Sequence, residues 1–152
     1  MGKKKCFFIG HREAPDTLLP ELMIKIRECL ELYDVTEFYV GHYGHFDALA
    51  ASALVALKHD HPQMRLYLLI PYHPAEQPIR APEGFDGTYY PSNMESVPKE
   101  LAIVRANRAM VDSCDYLMAY VTHPASNTAA ILDYAQKKHI QVIHLYGREI
   151  SL

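Results

Sequence analysis

Cys6-Phe7-Phe8-Ile9 is an apolar run that ends abruptly in Gly10-His11-Arg12. A backbone without a Cβ, an imidazole and a guanidinium thus meet at one point of the chain. That trio suits an anion, because glycine lets amides approach closely and a guanidinium can grip a phosphate with two parallel hydrogen bonds. Three more apolar runs end in comparable groups. Gly41-His42-Tyr43-Gly44-His45-Phe46-Asp47 follows "TEFYV", Pro71-Tyr72-His73 follows "RLYLLI", and Thr122-His123-Pro124-Ala125-Ser126-Asn127-Thr128 follows "DYLMAYV". In the last, Ser126 and Asn127 can cap a helix and donate to an anion. For Gly10, Gly41 and Gly44 taken singly, a tight turn explains the residue as well as a ligand does.

Arg105, Asn107 and Arg108 form a further group in "RANR". Two guanidiniums three residues apart on a helix could clamp a phosphate. Alternatively, Arg108 pairs with Asp112 on a solvated face, worth a fraction of a kcal/mol. The histidines do not form a metal motif: His42 and His45 lie in a loop without a carboxylate partner, and His59-Asp60-His61 sits at a helix end. Neither GxGxxG nor GxxxxGK[ST] occurs, and no nucleophile elbow supports a Ser-His-Asp triad. No metal and no cofactor is expected.

These groups need a frame to bring them together. Lys5 to Ile9, Thr36 to Val40, Arg65 to Ile70, Asp115 to Val121 and Ile140 to Leu145 read as strands. Helices are expected from Thr17 to about Tyr33 with Asp16 as cap, Phe46 to about His59, Pro98 to Ser113, and Asn127 to about Lys138. Apolar strands alternating with helices predict a single α/β domain, a Rossmann-like three-layer sandwich with a mainly parallel five-stranded sheet. Ligands of such sheets bind beyond the carboxyl ends of the strands, where all four groups fall. Residues 71–97, rich in proline and tyrosine, are too long for an ordinary connection and read as a functional or locally folded loop. Tyr72, Tyr89 and Tyr90 there could stack on a base or form a local core.

The chain of 152 residues has a formal net charge of -3, so no basic surface points to nucleic acid. Lys3-Lys4-Lys5 reads as a solvated start, no apolar run approaches a membrane span, and Phe7-Phe8-Ile9 is too short for a secretory signal. Cys6, Cys29 and Cys114 lie in apolar segments without a CxxC and read as buried free thiols, which fits the cytoplasm.

Taken together, the strand followed by "GHRE", "VGHYGHFD", "RANRAMVDSCDYLMAYVTHP" and "DYAQKKHIQVIHL" resembles the SLOG superfamily over nearly the whole chain, and more narrowly its short bacterial YpsA-like members. The resemblance implies a Rossmann-like fold that binds nucleotides or nucleotide-derived ligands. It implies ligand contacts at Gly10, His11, Arg12, Gly41, Gly44, Asp47, Arg105, Asn107 and Arg108; Tyr72, Thr122, Ser126, Asn127 and Thr128 join them from the strand-tip reading. LOG phosphoribohydrolases of this superfamily carry PGGxGTxxE. Here the segment is Pro124-Ala125-Ser126-Asn127-Thr128, with Asp133 where the glutamate would stand. Two expectations follow. One is a sensor or sequestering protein for a nucleoside phosphate or ADP-ribose-like molecule. The other is a nucleoside monophosphate N-glycosidase using Asp133. Single-stranded DNA binding, as in DprA-type relatives, is disfavoured by the acidic balance. A homodimer or higher homo-oligomer is expected, since many relatives build pockets across subunits.

Overall fold

A computed structural model describes residues 3–147. The chain runs β1 (Lys4–Gly10), α1 (Leu19–Leu32), β2 (Val35–Val40), α2 (His45–Asp60), β3 (Arg65–Leu69), β4 (Gly87–Tyr89), α3 (Ala102–Ser113), β5 (Tyr116–Tyr120), α4 (Asn127–Lys137) and β6 (Gln141–His144). The strands form one sheet in the order β4-β3-β2-β1-β5-β6, and every pairing is parallel. This is the expected Rossmann-like α/β architecture with one strand more than expected.

Successive residues of a strand face opposite sides, and β1 shows the consequence. Cys6 and Phe8 pack with Leu22 and Ile26 of α1 and Ala50 and Leu54 of α2. Phe7 and Ile9 pack with Ala106 and Met110 of α3 and Ile131 of α4 on the other face. Both faces are therefore buried, which is why the strands read as unbroken apolar runs. The chain builds outward from β1 to β4 with α1 and α2 on one face. It then returns to β5 on the far side of β1, with α3 and α4 on the other face. The sheet order thus reverses between β1 and β5, which is where such folds leave a crevice.

The additional strand, β4, lies inside the long proline-rich segment. Three residues beginning with glycine carry no alternation to read. Its anchor is Asp86, which accepts the Leu66 N–H at 2.8 Å and the Lys58 ammonium at 2.6 Å, while its own N–H donates to the Leu66 carbonyl. Asp16 does not cap α1: a 3-10 turn at Asp16–Leu18 precedes the helix, and the Asp16 carboxylate instead meets the His45 Nε2 at 2.5 Å. Similarly, Lys99–Leu101 is a 3-10 turn, so α3 begins later than Pro98. Cys6, Cys29 and Cys114 are buried free thiols, and among the described residues no helix is long and apolar enough to cross a membrane.

Beyond β6 the Leu145 N–H donates to the Ala119 carbonyl at 2.8 Å, and a buried acid meets the next two residues. Glu21 of α1 accepts the N–H groups of Tyr146 and Gly147, each at 2.9 Å at its shortest. Hydrogen bonds to a charged acceptor contribute about 1.5–3 kcal/mol, and a buried donor left unmet is costly. Glu21→Ala should therefore lower the urea midpoint and speed amide exchange at Tyr146 and Gly147; unchanged exchange there would refute the anchor.

Candidate functional site

A cavity of about 280 Å3 opens beyond the carboxyl ends of β1 and β2, between α3 and the first turns of α2 and α4. Ile9, Leu69, Ala106 and Ile131 give it an apolar floor. Arg12, Tyr43, Asp47, Glu100, Asn107, Asn127 and Thr128 supply its polar groups. An apolar cleft with a few convergent polar groups at the switch point is the usual form of a small-molecule site.

The three glycines make room for the site's own parts. A Cβ at Gly10 would lie 2.2 Å from the Phe46 ring, one at Gly44 2.7 Å from the Arg12 Cα, and one at Gly41 3.1 Å from the Asp47 carboxylate. Gly44 therefore lets the Arg12 backbone lie against the start of α2, where the Arg12 carbonyl accepts the His45 N–H at 2.9 Å. The tips of β1 and β2 are thus locked together, with the guanidinium left at the cavity. Among the described residues Arg12 makes no ion pair.

Asp47 sits in the first turn of α2 and accepts the Tyr43 N–H at 3.0 Å. Desolvation pushes its carboxyl up to about 6, against the opposing pulls of that N–H and of Arg12. A carboxylic acid poised near neutrality is a characteristic of functional clefts. Burial also pushes the Tyr43 phenol up to about 12, with Tyr72 and Asp47 adding to the rise.

His11 lines no part of the cavity. Its Nε2 accepts the N–H groups of Thr122 at 2.7 Å and His123 at 3.3 Å, tying the tip of β1 to that of β5. Burial holds its pKa below the usual histidine range, helped by the neighbouring His123 ring at 4.7 Å and opposed by Glu13. A neutral ring is what this geometry needs, since an imidazolium has no lone pair to accept with. His11 is a brace, and Thr122 is the group it braces. Ser126 is likewise committed, its Oγ accepting the Ala129 N–H at 3.0 Å as the cap of α4. The first-turn amides of α4 that this cap leaves unmatched face an anion favourably.

Of the expected residues, Gly10, Arg12, Gly41, Gly44, Asp47, Asn107, Asn127 and Thr128 meet at the cavity. Arg105, Arg108 and Asp133 do not. On α3, Ile103 and Asn107 follow one helical stripe into the cavity, joined by Glu100 of the preceding 3-10 turn, and Arg105 lies 200° round the helix from Asn107. Arg108 stacks on Tyr134 of α4, 5.1 Å from the ring centre. The anticipated Arg108–Asp112 pair is also absent: Asp112 accepts the Tyr134 hydroxyl at 2.7 Å and faces Lys138. Asp133 is exposed and pairs with Lys137 at 3.0 Å, because Asn127, Thr128 and Ile131 hold the inward stripe of α4. Tyr72 lines an adjoining cavity, and Tyr89 packs edge-on against Tyr39 at 5.4 Å.

Tyr43, Glu100 and Ile103 were not anticipated as lining residues. For the last two a signal existed, since they stand seven and four residues before Asn107 on one face of the helix expected from Pro98. Compared with known proteins, the chain matches no protein-family model and no curated protein.

Proposed function

We propose that this chain binds a nucleotide or nucleotide-derived anion without turning it over, as a sensor or a sequestering protein. The observation that carries this reading is the uncommitted Arg12 guanidinium facing the same cavity as the first turn of α4. Guanidinium and helix N-terminus are the two standard phosphate partners, and a cleft at the switch point brings them to one ligand. Asp47 and Asn107 are placed to take sugar hydroxyls. Membership of a SLOG-like, YpsA-like group belongs to this proposal, as does a cytoplasmic setting. So does a homo-oligomer, for which Leu101, a large apolar side chain left exposed in the turn before α3, offers surface.

The N-glycosidase reading is weaker. It needs a carboxylate at the glycosidic bond, and Asp133 lies outside the cavity in a pair with Lys137.

Calorimetric titration of adenosine monophosphate and ADP-ribose into Arg12→Ala and Arg108→Ala tests the proposal. Loss of a charged hydrogen-bonding partner worth about 1.5–3 kcal/mol weakens binding roughly 10- to 150-fold. Arg12→Ala should show that loss, and Arg108→Ala should bind as the parent does. Equal weakening by both, or by neither, would contradict the assignment.

A further inference from the structure

A second cavity of about 240 Å3 adjoins the first. Pro71 is in the wall of both, and α3 passes from one to the other, with Ala102 in the second and Ala106 one turn on in the first. The two cavities therefore lie side by side along α3.

The second cavity has its own chemistry. Its flat walls are the half-buried rings of Tyr72 and Tyr90. Both are held: the Tyr72 hydroxyl donates to the Lys99 carbonyl at 3.4 Å, and the His73 ring meets Tyr90 edge-on at 5.6 Å. Two carboxylates stand at the rim. The turn in which the Glu76 and Gln77 N–H groups donate to the His73 carbonyl places Glu76 there. Buried Met94 anchors the segment of Glu95, with the Val97 N–H closing a turn onto the Met94 carbonyl. The Tyr90 phenol is pushed up by desolvation and then by Glu95 and Glu76, so both carboxylates are within electrostatic reach of that ring. Among the described residues lining it, the one Lys or Arg is Lys99, which lies over the Tyr72 ring at 5.9 Å.

Aromatic walls take a flat ring, and the groups at its edge decide which ring. Ionised carboxylates only accept hydrogen bonds, and an ammonium only donates. The complementary guest offers an amine to Glu76 or Glu95 and a lone-pair nitrogen or carbonyl to Lys99. Building on the anion site proposed above, we infer that the second cavity receives the heteroaromatic base of the bound nucleotide and selects a base with an exocyclic amine. A base without that amine leaves the carboxylates unmatched there and is disfavoured. The two cavities then hold one ligand end to end, phosphate at Arg12 and base between the tyrosines.

Adenosine monophosphate and purine riboside monophosphate differ in the exocyclic amine alone, with the same lone pair at N1, and are the probes. Titrated into the unaltered chain, the adenosine nucleotide should bind about 10-fold tighter or more, the scale of one charged hydrogen bond in a partly solvated site. A Glu76→Gln, Glu95→Gln double variant should erase most of the preference, since a neutral amide oxygen is a weaker acceptor for that amine than a carboxylate. Arg12→Ala should weaken both nucleotides alike and keep their ratio. Equal binding of the two by the unaltered chain, or a preference that survives undiminished in the double variant, overturns the base assignment while leaving the anion site standing. Binding of neither nucleotide overturns the anion site and the base assignment together.

Discussion

Gly10→Ala is expected to lower the melting temperature by roughly 6–12 °C, on the scale of about 2–4 °C per kcal/mol for a chain of this size. The added methyl would lie 2.2 Å from Cγ and 2.5 Å from both Cδ atoms of Phe46, whose side chain is completely buried. That ring is itself stacked on Tyr120 at 6.3 Å, so it cannot swing aside without disturbing the end of β5. Inserting a methyl into a packed core costs about 1–3 kcal/mol, and here the obstacle is the centre of a ring rather than a flexible tip, so the upper end applies. Adding Phe46→Leu should recover part of the loss, because residues in contact are not additive. A melting temperature within 2 °C of the parent would show that Phe46 does not depend on Gly10 for its place.

The second large effect concerns Asp47. Its carboxyl, ordinarily near 3.8, is pushed up to about 6 by desolvation. Between those two values the folded chain holds a proton that the unfolded chain has released. Stability therefore falls as pH rises through that window, and the full cost persists above about 6. Two pKa units amount to about 3 kcal/mol, and partial access to the cavity reduces this to about 1–3 kcal/mol. Asp47→Asn should thus be more stable than the parent by that amount at pH 8 and no more stable at pH 4, since its carbonyl can still accept the Tyr43 N–H. It should also bind ligand less well at pH 8. A residue that costs stability at neutral pH and lines a cleft is the pattern expected of a functional group. Parallel stability-against-pH curves for the two proteins would rule out the burial argument.

The frame was legible because its signals are long. Apolar runs of five residues alternating with helical stripes such as Leu18, Leu22, Ile26 and Cys29 define a buried parallel sheet, and all four interior loops expected at strand tips lie there. β4 escaped because it is held by Asp86 from outside rather than by any pattern within Gly87–Tyr89. The site was legible in part. Arg12, Asp47 and Asn127 follow strands directly, so their place at the cavity comes with the topology. His11 and Ser126 stand at the right tips but spend their acceptors on backbone N–H groups, a choice that depends on tertiary distance. Arg105, Asn107 and Arg108 are neighbours in sequence but not round the helix: the 100° each residue turns separates Arg105 from Asn107 and leads back to Ile103 and, in the preceding turn, Glu100. The same angle removes Asp133 from the stripe of Asn127 and Ile131.

Native mass spectrometry of the unaltered chain incubated with adenosine monophosphate and, separately, with ADP-ribose tests the central claim most directly. A saturable adduct of one intact nucleotide per chain is expected, with no free base in the solution recovered afterwards. The absence of an adduct with either compound would contradict the binding site, and steady release of free base would contradict binding without turnover.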